Sequence, residues 1–558
     1  LAWIRKFNWE LQAPKVLQNG KYDCAYFSRF NAPLYNYLFD TINLFHSWYS
    51  ELPKDLASIN SFSVRDSMYW KDLAETSDLH EYYRYCGLDT WATVNAAIAL
   101  INAMPEWAKK NYLMEFPKIF PCHLAELIGV KRDFIRLEEQ RKIANDNISK
   151  KTSSLRKMLG SPDFNTNSPP QVKKLLTILG CKDIASTNEK DIKKAILRHP
   201  LNSRILNVIL DVRGDRKSIS TYLRTDADKD EGKDNGAKEF NGTILYSLNP
   251  HGTDTGRLAS TEHHFWCGLQ FHNIPRDKTV KSTIRSYDGF RFCECDLRQA
   301  ETRDTAYISG DTILINTVNS KKDFHAINAS AFFGIPYNKI YSDELHKVLD
   351  KILRDLAKRV NHGANYCMGA AVLVDTMGED KVYHAGKILN LPRFWSALKI
   401  AEHLLEVFHK TYPGISKNYY PAVKTEIALT HKLVGATGWT RYCFKDPERN
   451  KRAFNAYVAH GPQSLNAMVL NMAWEKVFYD IAIHPKYKDN FKLNAQIHDS
   501  ILFQFREGHE YLCELVKEKM EIPVTIKGCD GVTRTFTVPA DIKAGSDGKG
   551  SIYWSDIE

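Results

Sequence analysis

Two apolar runs that lead into aspartates constrain this chain more than any other feature. The run FRFCECD delivers Asp296, and the run KLNAQIHDSILFQF places Asp499 in a tight turn between two strand-like segments. The two aspartates lie about 200 positions apart, and residues 312–430 between them show the apolar spacing of helices. We therefore predict a mixed sheet interrupted by a large helical insertion, with a helix starting just after Asp296.

The two aspartates predict a metal site where their strands end. Carboxylate oxygens are hard ligands that suit Mg²⁺, and two such ions about 4 Å apart assist phosphoryl transfer. Taken singly, Asp296 and Asp499 are each better explained as the cap of a turn, so the prediction depends on the other motifs.

A four-residue repeat in LRDLAKRVNHGANYC places two cations and two rings on one helix face. Arg354, Lys358, His362 and Tyr366 follow one another at steps of four residues, which are about 6 Å apart along a helix. Arginine and lysine suit a triphosphate, whereas the rings suit a sugar and a base. The alternative is a solvated basic helix face without a ligand.

The segment NPHGTDTGRLASTEHH predicts a tight turn. Gly252, Thr255 and Gly256 favour the turn, and Arg257 projects from it. An arginine so placed suits phosphates or the minor groove of a duplex. An arginine that only stabilises the turn explains the pattern equally well.

Together these segments resemble family A DNA polymerases, the group of bacterial DNA polymerase I and many phage replicases. The resemblance runs through essentially the whole chain in the family's order. It rests on NSPPQVKKLLTILG with RKSISTYL (thumb), DTGRLAS (TGRLSS in the family), DLRQAE (motif A), DFHAINA (a fingers segment), RDLAKRVNHGANY (motif B) and IHDS (motif C).

The resemblance implies a multidomain α+β fold, a right-hand polymerase preceded by a partial ribonuclease H-like domain. Ser168-Pro169-Pro170 predicts the start of a thumb helix. The charged run over 224–242 predicts an exposed loop between domains. The expected domains are a partial 3′–5′ exonuclease-like domain (1–112), a thumb (113–223), a palm in two parts (224–311 and 431–558) and fingers (312–430).

The resemblance also implies roles for single residues. The implied ligands of two Mg²⁺ ions are Asp296, Asp499 and the carbonyl of Leu297. The implied nucleotide-binding residues are Gln299, Glu301, His325, Arg354, Lys358, His362 and Tyr366, with Glu301 excluding a ribose 2′-hydroxyl. The implied contacts to primer–template DNA are Thr255, Arg257, Asn273, Gln463 and His498.

The sequence departs from the family pattern at three motif positions. Ser500 stands where motif C usually has Glu, which removes a peripheral carboxylate and leaves both metal ligands. His362 replaces an aromatic residue that faces the incoming sugar, so discrimination at the sugar is in doubt. Cys367 replaces the glycine that usually follows the tyrosine of motif B.

Two of the implied DNA contacts depend on a loose register. LQFHNIP has two residues more than the family's LQNIP, which puts the role of Asn273 in doubt. PQSLN identifies Gln463, but an alignment through His460-Gly461 competes with it.

The N-terminal segments NGKYDCAYF and YCGLD resemble two of the three motifs of a DEDD-type 3′–5′ exonuclease. Asp23 and Asp89 would be metal ligands, and Tyr85 would orient the attacking water. The first motif, D-x-E, does not occur before Asn19, and the chain begins with Leu1, so we expect a missing upstream piece. We expect no proofreading from these residues alone; the alternative role is a structural platform.

The motifs are compatible with three classes of function. The leading one is a DNA-directed DNA polymerase, with the divergent motifs favouring phage DNA replication. A single-subunit RNA polymerase is the second. Glu301 argues against it, because a residue that excludes the ribose 2′-hydroxyl serves no purpose in an enzyme that uses ribonucleotides. A non-catalytic DNA-binding relic is the third, and the intact motif residues argue against it.

Composition limits the setting. Net charge is +10 from 76 basic and 66 acidic residues, which permits a nucleic-acid partner. The 11 cysteines form no CxxC pair, so we expect reduced thiols in an intracellular protein. No apolar run reaches about 18 residues, so we expect no membrane span.

We expect a monomer that binds primer–template DNA and deoxynucleoside triphosphates. It would lie in the host cytoplasm if phage-encoded, and it is compatible with a processivity factor or helicase.

Overall fold

The computed structural model describes residues 2–181, 184–225, 239–265 and 267–557. Its first part is mostly helical around one short parallel strand pair. Side chains such as Phe45 and Leu100 give this part a core of its own. Its elements are α1 (Ala2–Glu10), β1 (Lys15–Leu17), α2 (Lys21–Arg29), β2 (Tyr37–Asp40), α3 (Thr41–Trp48), α4 (Leu56–Ser63), α5 (Leu79–Ala103) and α6 (Glu106–Glu115).

The next part is helical apart from one short strand. Its elements are α7 (Ile119–Ile128), β3 (Val130–Arg132), α8 (Phe134–Leu159), α9 (Pro169–Ile178), α10 (Glu189–Arg198) and α11 (Ser203–Thr221). Helix α9 begins directly after Ser168, which confirms the predicted helix entry. Lys151 of α8 pairs with Asp211 of α11 at 3.1 Å. Strand β3 was not expected; it joins β4, β5 and β8, which come later in the chain.

The third part leads into the central sheet. Its elements are β4 (Glu239–Phe240), β5 (Thr243–Ile244), β6 (Ser247–Asn249), β7 (Ala259–Thr261), α12 (Lys278–Lys281), β8 (Ile284–Arg285), β9 (Phe290–Leu297) and α13 (Ala300–Ser309). The strand-like run TILYSLN forms two strands, because the chain changes sheet at the buried pair Leu245 and Tyr246. Of the predicted charged loop, 226–238 lies outside the described residues.

A helical insertion follows, as predicted. Its elements are α14 (Thr312–Val318), α15 (Phe324–Phe333), α16 (Tyr337–Ile340), β10 (Tyr341–Ser342), β11 (Lys347–Val348), α17 (Lys351–Asn365), α18 (Ala370–Met377), α19 (Glu379–Ile388), α20 (Ala397–Thr411) and α21 (Tyr420–Thr430). Buried side chains that include Phe324, Leu356 and Phe408 form a core that is separate from the core of the central sheet.

The last part completes the central sheet. Its elements are β12 (Lys432–Val434), β13 (Thr440–Tyr442), α22 (Lys451–Val477), β14 (Phe491–Ile497), β15 (Ser500–Arg506), α23 (Tyr511–Met520), β16 (Pro523–Lys527), β17 (Thr533–Thr537) and β18 (Ala540–Lys543). Among the described residues, no helix is long and apolar enough to cross a lipid bilayer.

The central sheet has the strand order β14-β15-β9-β18. Every neighbouring pair in it is antiparallel, so the prediction of a mixed sheet is wrong. The physical reason is the two-residue turn between β14 and β15, since such a short connection joins antiparallel strands only. Strand β18 likewise runs back along β9 and closes the other side.

The sheet core gives a first prediction. Phe503 of β15 is 0% exposed, and its ring stacks on Phe491 at 5.2 Å. Phe503→Ala should lower the free energy of unfolding by about 3–5 kcal/mol, because it leaves a cavity under the sheet. Urea unfolding measures the change. The matched control Phe394→Ala removes a ring that is 87% exposed, and equal losses in both variants would contradict this packing.

Candidate active site

The central sheet brings the two predicted metal ligands together. Strand β15 pairs with β9 so that Ser500 lies opposite Asp296, and the Leu297 amide donates to the carbonyl of Asp499 at 2.9 Å. The turn is tight because His498 adopts a left-handed φ of 52°. The predictions of a strand ending at Asp296 and a hairpin tip at Asp499 are confirmed.

The surroundings of the two carboxylates are strongly charged. Asp499 accepts from Asn466 Nδ2 at 2.7 Å and from Arg257 Nη2 at 3.3 Å. Burial raises the pKa of Asp499, Arg257 opposes this, and the nearby Glu301 adds to it. Asp296 accepts from Lys543 Nζ at 2.5 Å. Each carboxylate therefore has a cation of the protein beside it, as expected where negative charge is concentrated.

These oxygens fit a magnesium site that is completed by a substrate. Within the described residues, no three acidic, histidine or cysteine side chains converge on one metal ion. Mg²⁺ typically takes one or two carboxylates and completes its shell with water and substrate phosphates. Asp296, Asp499 and the Leu297 carbonyl match that donor set. Asp296 and Asp499 border an open cleft of about 320 Å³ that is also lined by His272, Glu294, His498, Lys543 and Trp554.

Glu301 connects the sheet to the helical insertion. It lies in the first turn of α13, and its carboxylate accepts hydrogen bonds from Arg257 and from the Tyr366 hydroxyl at the end of α17. Burial and the charge of Glu301 raise the pKa of the Tyr366 phenol, so this hydroxyl donates. Gln299, the residue before α13, is half-buried and has a left-handed φ of 53°.

Helix α17 and the residue after it, Tyr366, form the predicted face, on which two cations are followed by two rings. Its apolar side, which includes Leu353, Leu356 and Val360, is buried, whereas Lys358 and His362 are exposed. The rings of His362 and Tyr366 meet edge to face at 5.7 Å. The residues at four-residue spacing in the motif therefore lie on one helix face, which borders the candidate active site.

A second helix supports that face. Arg354 donates to both oxygens of Asp323, at 3.0 and 2.9 Å, and Asp323 also caps α15 through the Ala326 amide. His325 follows on α15, where burial and the cations Arg354 and Lys358 lower its pKa to about 4. His325 is thus a neutral ring beside two cations at pH 7.

The predicted DNA contacts differ in accessibility. Thr255 is buried at 6% exposure and lies 3.4 Å from the Thr253 hydroxyl, so its side chain supports its own turn. The Asn273 amide donates to Gln270 at 2.6 Å. Gln463 is half-buried, one turn of α22 before Asn466, which binds Asp499. His460 is 1% exposed, which favours the alignment through Gln463.

Two of the three departures from the family pattern lie at turns. The Ser500 hydroxyl donates to the Ile497 carbonyl at 2.9 Å and closes the turn. Cys367 has a left-handed φ of 55°, which a glycine would adopt without strain.

The exonuclease-like residues share a second cleft. Asp23 and Asp89 line an open cleft of about 750 Å³ with Lys54 and Lys71. Burial raises the pKa of Asp23 to about 6. Lys71 donates to Asp89 at 2.7 Å and to the Tyr85 hydroxyl at 3.3 Å. Asp23 and Asp89 therefore border one cleft, and Lys71 of that cleft connects Asp89 to Tyr85.

Sequence reasoning missed four residues of the candidate active site. They are Glu294, Asp323, Asn466 and Lys543. Asn466 had a signal, because it lies three residues after Gln463 on a helix. Asp323 also had a signal, because it opens the DFHAINA segment. Glu294 and Lys543 had none, since Lys543 reaches Asp296 and Glu294 only through the pairing of β18 with β9.

Comparisons with known proteins agree with this geometry. The family model described as DNA polymerase family A matches residues 135–546. DNA polymerase I of Helicobacter pylori (strain ATCC 700392 / 26695) is 28% identical over 62% of this chain and 34% of its own length. The thermostable DNA polymerase I of Thermus aquaticus is 24% identical over 71% of this chain and 44% of its own length. This chain thus spans about a third to a half of these curated relatives.

A solved structure matches almost the whole chain. It is the POL domain of Pol1 from M. smegmatis in complex with DNA primer-template and dNTP, with a TM-score of 0.75 at 19% sequence identity. The match covers 99% of this chain and 88% of that one. At this identity the match shows the fold, and the predicted right-hand α+β architecture is confirmed.

The Arg354–Asp323 pair gives a second prediction. Burial opposes the charged form of Asp323, but the bonds from Arg354 and the Ala326 amide outweigh it and hold the pKa below its ordinary 3.8. Asp323→Asn keeps a helix cap and removes the ion pair, so it should cost about 1 kcal/mol at pH 7.

This difference should depend on pH with a definite sign. A depressed pKa stabilises the fold above the unfolded value and loses that effect as the pH falls below it. The gap between wild type and Asp323→Asn in urea unfolding should therefore close as the pH drops below about 4. A gap that stays constant down to pH of about 3 would contradict the ion pair.

Proposed function

The chain belongs to DNA polymerase family A, and from that membership we propose that it copies a DNA template by adding deoxynucleotides to a primer 3′-hydroxyl. The observation that carries the proposal is the meeting of Asp296 and Asp499 at one sheet edge, which Arg257 and Glu301 connect to Tyr366 at the end of α17. Phosphoryl transfer needs alignment and charge neutralisation more than covalent catalysis, and this arrangement supplies both.

Asp296, Asp499 and the Leu297 carbonyl would hold two Mg²⁺ ions, which when bound activate the primer hydroxyl and neutralise the departing pyrophosphate. Arg354 and Lys358 bind the triphosphate, Arg354 by releasing Asp323 and presenting its two-pronged guanidinium. The neutral His325 donates one hydrogen bond to the same phosphates. Residue 354 thus exchanges one anionic partner for another.

The sugar and the base of the incoming nucleotide would contact the C-terminal end of the α17 face. Glu301, held by Arg257 and Tyr366, fills the position that a ribose 2′-hydroxyl would need. Tyr366 lies beside the nascent base pair, and His362 contacts the sugar. Pairing with the template base then supplies selectivity among the four nucleotides.

Primer–template DNA would lie across the sheet side of the site. Arg257, Asn273, Gln463 and His498 follow the minor groove and the primer terminus, where contacts to sugar and phosphate fix register without reading sequence. In this proposal, residues 113–223 are the thumb, 312–430 the fingers, and 224–311 with 431–558 the palm. Phage replication stays a prediction that rests on motif divergence.

The metal ligands give a third prediction. Asp296→Asn and Asp499→Asn should each lower primer extension about 1,000-fold, because each removes a charge at the reacting phosphate. Asp541→Asn is the matched control, since Asp541 lies opposite Asp296 in the sheet and pairs with Arg298. Extension by either active-site variant at the control's rate would overturn the assignment.

The proposed role of Glu301 as a gate, a residue that excludes a ribose 2′-hydroxyl, gives a fourth prediction. Glu301→Ala should raise the use of ribonucleotides relative to deoxynucleotides at least about tenfold, because it opens space at the 2′ position. The measurement is the ratio of kcat/KM for the two sugars. Glu344→Ala, at an exposed acid of the insertion, should leave the ratio unchanged. An unaltered ratio in Glu301→Ala, or ready ribonucleotide use by the wild type, would disprove the gate.

A further inference from the structure

The loop 253–257, which carries Arg257, is held by the N-terminal part of the chain. The His46 ring lies with Nε2 3.0 Å from the Thr253 carbonyl and Nδ1 2.7 Å from the Glu115 carboxylate. Asn43 donates to the second oxygen of Glu115 at 2.8 Å. The side chains of His46 and Glu115 are 0% exposed, so the ring has one fixed orientation toward the loop.

A second attachment reaches the next residue of the loop. Arg441 is 6% exposed and bonds Glu51, which follows α3, at 2.6 and 3.0 Å. The same guanidinium pairs with Asp254 at 2.5 Å. The Trp439 indole donates to the Asp254 carbonyl at 3.1 Å. Arg441 is thus a buried cation between one acid of the N-terminal part and one acid of the loop.

The far end of the loop lies in the candidate active site. Gly256 has a left-handed φ of 78°, and its carbonyl accepts from Asn471 at 2.9 Å. The next residue, Arg257, contacts Asp499 at 3.3 Å and Glu301. Only two residues separate Asp254 from Arg257, so a shift at the attachment moves the guanidinium.

We propose that residues 1–112 position Arg257 for the polymerase site, with His46 and Glu51 as positioning residues that act through Thr253 and Asp254. The exonuclease-like part would then serve DNA synthesis whether or not its own cleft hydrolyses DNA. The proposal rests on the proposed function in one respect, namely that Arg257 contacts the primer–template duplex.

The test compares duplex affinity in the full chain. Glu51→Ala should weaken primer–template binding about threefold to tenfold, because it releases one side of Arg441. Glu106→Ala, at an exposed acid of the same part, is the matched control and should not change affinity. Hydrogen exchange should rise in 251–260 and stay constant in 324–333, which shows a loosened loop without reference to activity.

A double-variant cycle separates positioning from general stability. If Glu51 acts through Arg257, Glu51→Ala should add no further loss in an Arg257→Ala background, whereas independent effects add. Additive losses, or a Glu51→Ala variant with wild-type affinity and exchange, would overturn the proposal. Unchanged affinity in Arg257→Ala alone would instead remove the duplex role of Arg257. If Glu51→Ala does not fold, His46→Gln takes its place in the same cycle, with the same outcomes.

Discussion

The antiparallel pairing of β9 with β15 is the constraint on which the rest of the structure depends. It places Ser500 opposite Asp296 and therefore brings Asp499 beside the end of β9. A slip of one residue would turn each side chain of the strand to the other face of the sheet. The register is protected by buried side chains along both strands, including Phe292 and Phe503. Local order in the core thus fixes the distance between two acids that are about 200 positions apart.

The same pairing brings several carboxylates close together, and the fold limits their negative charge in two ways. Cations lie beside the half-buried acids, Lys543 at Asp296 and Arg257 at Asp499. The buried acid Asp304 is treated differently, because burial and the nearby acids raise its pKa far above the ordinary value. Its carboxyl oxygens have no hydrogen-bond partner among the described residues. Burial thus favours the neutral form of this carboxyl group, which adds less negative charge to the site than an ionised acid would.

Local patterns predicted the elements of the site well, and long-range pairing limited the rest. The strand before Asp296, the turn at Asp499 and the helix of Arg354 each follow from side-chain periodicity or turn chemistry. The antiparallel sheet and the role of Lys543 depend on which strands meet, which periodicity does not encode. The division of TILYSLN into two strands had no local signal either, since no glycine, proline or charged residue interrupts the run. The ion pair of Asp323 with Arg354 likewise depends on the packing of α15 against α17.

The separate core of the helical insertion has a mechanical consequence. The insertion and the central sheet each have a packed core. We therefore expect the seam, which is the contact between these two cores, to deform more easily than either core. The hydrogen bond from Tyr366 to Glu301 crosses that seam. The insertion therefore reaches Glu301 through Tyr366 at the end of α17, while the sheet that holds both aspartates belongs to the other core. In the proposed function, a small rotation of the insertion would change the space beside Glu301 and leave Asp296 and Asp499 in place.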